Sequence, residues 1–478
     1  MLRGFLAALA AASSVAAPQP AADGAFTKLD TTVTMSDGVT LAVTYYEPAG
    51  TRPARGWPAV MMFHGLGQTR NSLDLNTWSA NRVAETYLAP QGYAVLTFDA
   101  RAHGQSGGLF SLDGPRELQD TRELFTWLVD NHPVDRSHVG AFGVSYGGGI
   151  VWLAAVSGVP FAAIAVAATW TDLQQALIPQ GLIRAGVVVG FSQAIPQSRY
   201  APDLATLLRT ATSEQDTPAL RSFLAERSAR SRLGTLTTPT LLLQGRRDFA
   251  FDADQALAAF RLLKGPKRLY LGDLGHAPAP NPPDEVAHFA LETRAWFDRF
   301  VKGTGSPEPP KVELAADPWS GKTVTYNGLP PTRVLRFTSR GTSRLGASGK
   351  VVRTLGRVRH LETFGTPVVR VAIGSRTGYR HLVAVLSAVR PGGGETVISD
   401  GGIELPRLTA KPRTLAIRLP DEITPVSAGS RLRVTLAATS TAQNVANLVY
   451  LLPVADGSAA TIGRVTLALP VLDKPISP

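Results

Sequence analysis

The rhythm of apolar and polar positions changes three times along this chain. From Thr31 to Glu47 the two kinds alternate singly around Asp37-Gly38, a turn pair, which predicts two antiparallel strands. From Ala59 onward the alternation gives way to short solid apolar runs. These are Ala59–Phe63 (AVMMF), Ala94–Phe98 (AVLTF), Val139–Val144, Phe161–Ala168 (FAAIAVAA), Thr240–Gln244 (TLLLQ) and Lys267–Leu271 (KRLYL). Runs of that length suit strands buried on both faces. Between them the spacing is helical. Gly114–Asn131 carries Leu118, Leu124, Phe125, Leu128 and Val129, with Pro115 at a helix start and His132-Pro133 at its stop. Tyr146–Ser157, Asp252–Leu263 and Asp284–Val301 read the same way. Strands alternating with helices predict a mostly parallel sheet with helices on both faces, over residues 27–302.

One stretch interrupts that order. Residues 169–238 hold helical patterns at Leu173–Ile178, Leu204–Thr210 and Pro218–Ser228, and predict a helical cap over the C-terminal edge of the sheet. Residues 303–310 (GTGSPEPP) have the composition of a linker. Beyond them the helical period disappears. About nine short strands, among them Val324–Tyr326, His381–Val389, Leu448–Leu452 and Arg464–Leu469, predict a C-terminal β-sandwich of jelly-roll type over 311–478.

Composition adds less. A chain of 478 residues, 44% hydrophobic and 18% charged, is globular and long enough for more than one domain. Its formal charge of +11 comes from positive residues scattered along the chain, mostly Arg, which reads as a solvated surface and excludes a recognisable nucleic-acid module. With no cysteine, disulfides, thiolate metal sites and a thiol nucleophile are all excluded. Arg3, an apolar Gly4–Ala12 stretch and small residues after it read as a signal peptide over residues 1–22, so a secreted or periplasmic protein is expected. No apolar run is long enough to span a bilayer.

The chemistry concentrates at strand ends. Gly143-Val144-Ser145-Tyr146-Gly147 has the form G-x-S-x-G between a strand and a helix, the context of a nucleophile elbow. A serine hydroxyl needs a base. Of eight histidines, His276 lies in a loop after the last core strand, whereas His288 falls within a helix and His360 and His381 in the β domain. Asp248, one strand–helix unit ahead of His276, is the expected acid, with Asp252, Asp254 and Asp273 as competitors. Oxyanion donors are expected at the backbone N–H groups of Tyr146 and of Leu66, in the loop His64-Gly65-Leu66-Gly67. His64 and His103 read as scaffolding; the Tyr146 hydroxyl either meets substrate or packs. No metal or nucleotide-cofactor pattern is present, so no cofactor is implied.

GVSYGGG with Ser145, DARAHGQSGG, QGRRD with Asp248, LGH with His276 and the later segment HLVAVLSAVRPGGGETVISDGGIEL together resemble the Xaa-Pro dipeptidyl-peptidase and cocaine-esterase-like hydrolases. That resemblance implies an α/β-hydrolase core, a helical cap, a C-terminal jelly roll and cleavage of acyl bonds in a peptide or small-molecule substrate. Cocaine-esterase-like members carry a tyrosine after the first core strand, where this chain reads FHGLGQ. Peptidase and carboxylesterase activity stay open alternatives, as does a catalytically silent protein that binds through its β domain. Oligomeric state is not legible.

Overall fold

A strand that is apolar on both faces needs cover on both, and the solid apolar runs obtain it by lining up side by side. The computed structural model describes residues 25–71, 80–213, 216–276, 279–305, 310–441 and 449–478. The expected signal segment 1–22 lies outside the described residues. Strands β1 (Phe26–Thr34) and β2 (Thr40–Pro48) form the predicted hairpin, with Asp37-Gly38 in its loop and Gly38 at φ 81°. Next come β3 (Trp57–Phe63), β4 (Ala94–Phe98), β5 (Val134–Val144), β6 (Ala163–Ala167), β7 (Thr240–Gly245) and β8 (Lys267–Gly272). Their order in the sheet is β1-β2-β4-β3-β5-β6-β7-β8, and every pairing from β4 to β8 is parallel.

Helices cover both faces. A short α1 (Ala80–Val83) precedes β4, and α2 (Pro115–Asn131) and α3 (Tyr146–Val156) flank β5. Helix α2 starts at Pro115, and Glu117 reaches back to accept the Gly114 N–H at 2.9 Å, satisfying one of the donors a helix start leaves unpaired. On one face Leu124 and Leu128 of α2 and Val151 and Trp152 of α3 pack on Val139, Ala141 and Leu242. On the other, Phe289, Trp296 and Phe297 of a long helix, Pro283–Phe300, pack on Phe142, Leu241 and Leu243. Leu242 and its neighbours thus point to opposite faces, as the two-residue period of a strand requires.

Between β6 and β7 the expected helical insertion comprises α4 (Leu173–Leu177), α5 (Ala185–Phe191), α6 (Pro202–Thr212) and α7 (Pro218–Glu226). Helix α5 was not foreseen; its sequence, AGVVVGF, has low helix propensity and is held by burial of Ala185, Val187 and Val188. After β7 come α8 (Ala253–Leu262), β8 and the Pro283–Phe300 helix, here α9.

The domain boundary differs from the expected one. After residues 303–310 the chain returns to the core sheet: β9 (Val312–Ala315) pairs parallel with β8, and β10 (Thr323–Tyr326) pairs antiparallel with β9. The first sheet therefore has ten strands and extends to Tyr326. The Val324–Tyr326 run expected in the C-terminal domain is its last strand. Leu448–Leu452, expected as a strand, is not one over 449–452, and Leu448 lies outside the described residues.

The C-terminal region is two antiparallel sheets face to face. One contains β11 (Thr332–Ser339), β12 (Ser343–Gly346), β15 (Val368–Gly374), β18 (Arg413–Arg418) and β21 (Ala459–Leu472). The other contains β13 (Lys350–Arg357), β16 (His381–Val389), β17 (Glu395–Glu404) and β20 (Arg431–Ala437). A short pair, β14 (Leu361–Glu362) and β19 (Pro425–Val426), lies beside them. Val369, Val371, Leu467 and Leu469 of the first sheet meet Leu382, Leu386, Leu432 and Val434 of the second. The outward Val383 and Val385 of β16 pack with cap residues Leu182 and Ile183, so β16 is covered on both faces.

A buried ion pair joins the two regions. Arg246, just after β7, and Glu362 of β14 are both 0% exposed and hydrogen-bonded to each other. Arg246 also donates to Ala315 O, to Ile423 O at 3.2 Å and to Ser477 Oγ at 3.2 Å. Glu362 accepts the N–H groups of Ile476 and Ser477 at 2.7 and 3.1 Å. Burial pushes the Glu362 carboxyl up, but Arg246 and these amides more than offset it and hold it below its usual value. Glu362→Ala leaves a guanidinium sealed from water without its counter-charge and should cost about 3–5 kcal/mol in urea unfolding. A cost under about 1 kcal/mol would show that water reaches Arg246.

Buried carboxyls at the same junction generate a second prediction. Burial pushes Asp400 up to about 7, with Arg184 opposing, and Glu422 to about 8. Because the folded value of Asp400 lies above its ordinary 3.8, its stability contribution is complete below that value and is lost as pH rises through 7. The Asp400→Asn variant cannot ionise. Its thermal midpoint relative to the parent should therefore climb between pH 4 and 7, and parallel curves for the two proteins would contradict the assignment.

Candidate active site

Four core strands end at one edge, and each delivers one part of the site. His64 follows β3, Ser145 follows β5, Asp248 follows β7 and His276 follows β8. Ligand sites of open α/β sheets lie at this carboxyl end.

Ser145 sits between β5 and α3 at φ 52°, ψ −118°, a strained conformation for a non-glycine residue. Its own N–H donates to Ala167 O at 2.9 Å, and its carbonyl accepts Gly148 N–H and Gly149 N–H at 3.0 Å each and the Thr169 hydroxyl at 2.7 Å. The turn is tight enough to dictate its neighbours. A Cβ on Gly143 would lie 2.2 Å from Gly147 O, and one on Gly147 would lie 2.2 Å from Phe63 O.

The three expected side chains come together. His276 Nε2 lies 2.8 Å from Ser145 Oγ, and His276 Nδ1 lies 2.8 Å from Asp248 Oδ2 and 3.0 Å from Oδ1. An ionised Asp248 only accepts, which puts the ring proton on Nδ1 and leaves Nε2 free to accept from the serine hydroxyl. Asp248 is 0% exposed and is held by the amides of Ala250 at 2.9 Å, Phe251 at 3.1 Å and His276 at 3.2 Å. These bonds fix the orientation of its carboxyl group. The competing acids are placed otherwise. Asp273 pairs with Arg247 at 3.3 Å, and Asp254 accepts from Thr366 at 2.9 Å. Burial pushes Asp252 up to about 7.

His64 is locked in the scaffold. Its Nδ1–H donates to Gly65 O at 2.8 Å and its Nε2 accepts from Ala100 N–H at 2.9 Å. Burial holds its pKa below the usual imidazole value, so it stays neutral and shapes the loop carrying Leu66. His103 is held down to about 3, first by burial and then by His64, and stacks on Tyr146 at 5.3 Å. Tyr146 is 3% exposed between His103 and Phe110; its ring packs, and of the two readings of its side chain the structure takes this one. Its backbone N–H opens α3, where the helix's own ladder leaves it unused. Asp99, in the DARAHGQSGG segment, accepts from Arg70 N–H at 2.7 Å and Gln105 N–H at 2.9 Å and braces the loops behind the site.

Several neighbours were missed in the sequence. Phe191 of the cap and Phe249 and Phe251 of the acid loop place their rings 5.9, 6.5 and 5.4 Å from the His276 ring. Phe249 and Phe251 stand beside Asp248 in the chain, and that adjacency was the available signal. Asn281 holds the base loop, accepting Gly275 N–H at 2.9 Å and donating to Gly275 O at 3.0 Å. Arg184 of the cap donates to Ala250 O at 3.2 Å and to Phe249 O, fastening the cap to the acid loop.

Comparison with known proteins gives a consistent answer. A family model described as X-Pro dipeptidyl-peptidase (S15 family) matches residues 37–278, half of the chain. Cocaine esterase from Rhodococcus sp. (strain MB1 Bresler) is 27% identical over 312 residues, 61% of this chain and 48% of that protein. The match thus spans about half the length of this curated relative. A CocE/NonD family hydrolase from Staphylococcus aureus superposes with a TM-score of 0.73 at 16% identity over 94% of both chains. An aminopeptidase from the marine sediment archaeon Thaumarchaeota archaeon does so with a TM-score of 0.71 at 15% identity, over 97% of this chain and 99% of that one. Both structural likenesses show the shared fold: an α/β-hydrolase sheet with an antiparallel β-rich C-terminal region.

Gly147→Ala tests the elbow. The added methyl collides with backbone at Phe63 rather than with a movable side chain, so β3 or α3 must shift. The variant should lose fluorophosphonate labelling at Ser145 while retaining far-ultraviolet circular dichroism; full labelling would mean the turn tolerates a side chain there.

Proposed function

The chain belongs to the X-Pro dipeptidyl-peptidase (S15) family, and from that membership and the site geometry we propose that it is a serine hydrolase that cleaves acyl bonds through a covalent intermediate on Ser145. The observation that carries the reading is the continuous relay Ser145 Oγ–His276 Nε2, 2.8 Å, and His276 Nδ1–Asp248 Oδ2, 2.8 Å. Ser145 Oγ attacks the acyl carbon as its proton passes to His276 Nε2. The oxyanion is received by the N–H groups of Tyr146 and Leu66. His276 then gives its proton to the departing alcohol or amine, leaving an acyl-serine. A water molecule, deprotonated by the same nitrogen, repeats the attack and releases the acid. Asp248 keeps the imidazole in the required tautomer and offsets its positive charge in between.

Release of Xaa-Pro dipeptides is one reading of the substrate, supported by the family. Ester hydrolysis is the second, favoured by the three phenyl rings around His276, which suit an uncharged apolar acyl group and offer no charge to a free amino terminus. The resemblance to a cocaine esterase points the same way. We read the two-sheet C-terminal region as a jelly roll, and residues 1–22 as directing export.

Short p-nitrophenyl esters and an Xaa-Pro p-nitroanilide should be assayed side by side with a fluorophosphonate probe. Ser145→Ala should lose labelling and drop kcat by about 10⁴-fold or more, with His276→Ala similarly impaired. Probe labelling that survives in Ser145→Ala would place the nucleophile on another residue, whereas a parent protein that neither labels nor turns over any ester or amide would favour a silent binding protein instead.

A further inference from the structure

The positive charge of this chain is not shared between its two regions. Residues 327–478 carry 20 Lys and Arg against 8 Asp and Glu, a net +12, whereas the whole chain has +11. Four of those eight acids, Glu362, Asp400, Asp421 and Glu422, are buried, so the solvent-facing imbalance is larger still. Scattered in sequence, the arginines are sorted by the two-residue period of the strands.

The sorting is sharpest on the sheet formed by β11, β12, β15, β18 and β21. Its inner face is apolar, and its strands contain no Asp or Glu. In register across the sheet, Arg336 lies opposite Ala468, Ala468 opposite Val368, and Val368 opposite Arg418. In the next row on the same face, Thr338 meets Thr466, Thr466 meets Arg370, and Arg370 meets Ala416. Arg344 of β12 opposes Thr461 beyond them, and Arg464 stands between. All five arginines are exposed. Arg336 and Arg418 are three strand spacings apart, roughly 14 Å. The other sheet offers less free surface, because the cap covers the outer side of β16.

We infer that the outer face of this five-stranded sheet is a docking surface for an anionic lipid bilayer. Charge complementarity states the sign of the partner, and the arrangement states its shape. The arginines spread in two dimensions, over five strands and along their length, so a planar array of phosphates engages them together while a single linear polymer follows only one row. The positions between them hold Thr, Ala, Val and Pro. Among the described residues of this face no aromatic ring is available to stack a base or a sugar, which single-stranded nucleic acids and many glycans require. Val334, exposed at the edge strand, adds an apolar contact at headgroup depth. Docked this way, the face opposite the sheet that packs on the cap meets the membrane.

Sedimentation of the full chain with vesicles of equimolar phosphatidylcholine and phosphatidylglycerol, at low salt, tests the inference. The parent should bind these vesicles, release at high salt and ignore pure phosphatidylcholine. Combined Arg336→Ser, Arg370→Ser and Arg418→Ser should weaken binding about tenfold or more. A control with Arg52→Ser, Arg209→Ser and Arg232→Ser removes equal charge from the hydrolase region and should bind as the parent does; thermal unfolding verifies that both variants fold. Equal loss in the control, or no binding by the parent, would overturn the proposal. So would duplex DNA or an acidic polysaccharide competing the protein off the vesicles through the same three arginines, since the partner would then be that polymer.

Discussion

Neither the guanidinium of Arg246 nor the carboxylate of Glu362 can remain sealed from water alone, and much of the architecture follows from their being sealed together. Arg246 stands two residues ahead of Asp248, in the loop leaving β7. Its donors reach the end of β9 at Ala315, the β-domain loop at Ile423, β14 at Glu362 and the chain terminus at Ser477. Four segments distant in sequence are thus fixed on one planar cation, whose fork of donors suits it to that task better than a lysine's point charge. The Ile423 N–H in turn donates to Arg246 O at 2.8 Å. The C-terminal region is therefore part of the support of the acid loop rather than an appendage tethered by residues 303–310, and the return of the chain into β9 and β10 makes the same point through backbone pairing.

Fixing the acid loop matters because the relay tolerates little slack. Asp248 spends one oxygen on the amides of Ala250 and Phe251 and shares the other with His276, while Arg184 of the cap grips the carbonyls of Phe249 and Ala250. The loop is pinned from below by the β domain and from above by the cap. On the other side of the imidazole, the strained turn at Ser145 is held by Ala167 O and by close backbone packing of Gly147 against Phe63. The 2.8 Å contacts at both imidazole nitrogens are the sum of these constraints, each supplied by a different part of the chain.

What was legible in the sequence was what is encoded locally. The G-x-S-x-G turn, the loop after each core strand and the order Ser145, Asp248, His276 are written in contiguous residues with a fixed backbone geometry, and those residues meet. His64 read as scaffolding for the same reason: it sits between a buried strand and a glycine turn. Partners chosen by tertiary packing were not legible. An arginine in QGRRD looks like any surface arginine, and nothing near position 362 announces that Glu362 lies under it. Val312–Ala315, four residues long, carries no mark that it joins a parallel sheet rather than a sandwich. Helix α5 was hidden because Val and Gly report its burial and not its conformation.

Charge illustrates the same limit in the opposite direction. Read in order, the arginines of the C-terminal region have no block and no motif, and they suggest only a solvated surface. A strand, however, is a sorting device: residues two apart share a face, and pairing places them beside residues far away in the chain. Val369, Val371 and Ile373 send their side chains into the core of the sandwich, and the same alternation obliges Arg370 to face outward. Repeated on β11, β18 and β21, it turns a dispersed excess into a single-signed sheet face without any local signal. The apolar alternation that builds the core therefore also determines where the cations gather, and a property that looked like mere composition becomes a property of the fold.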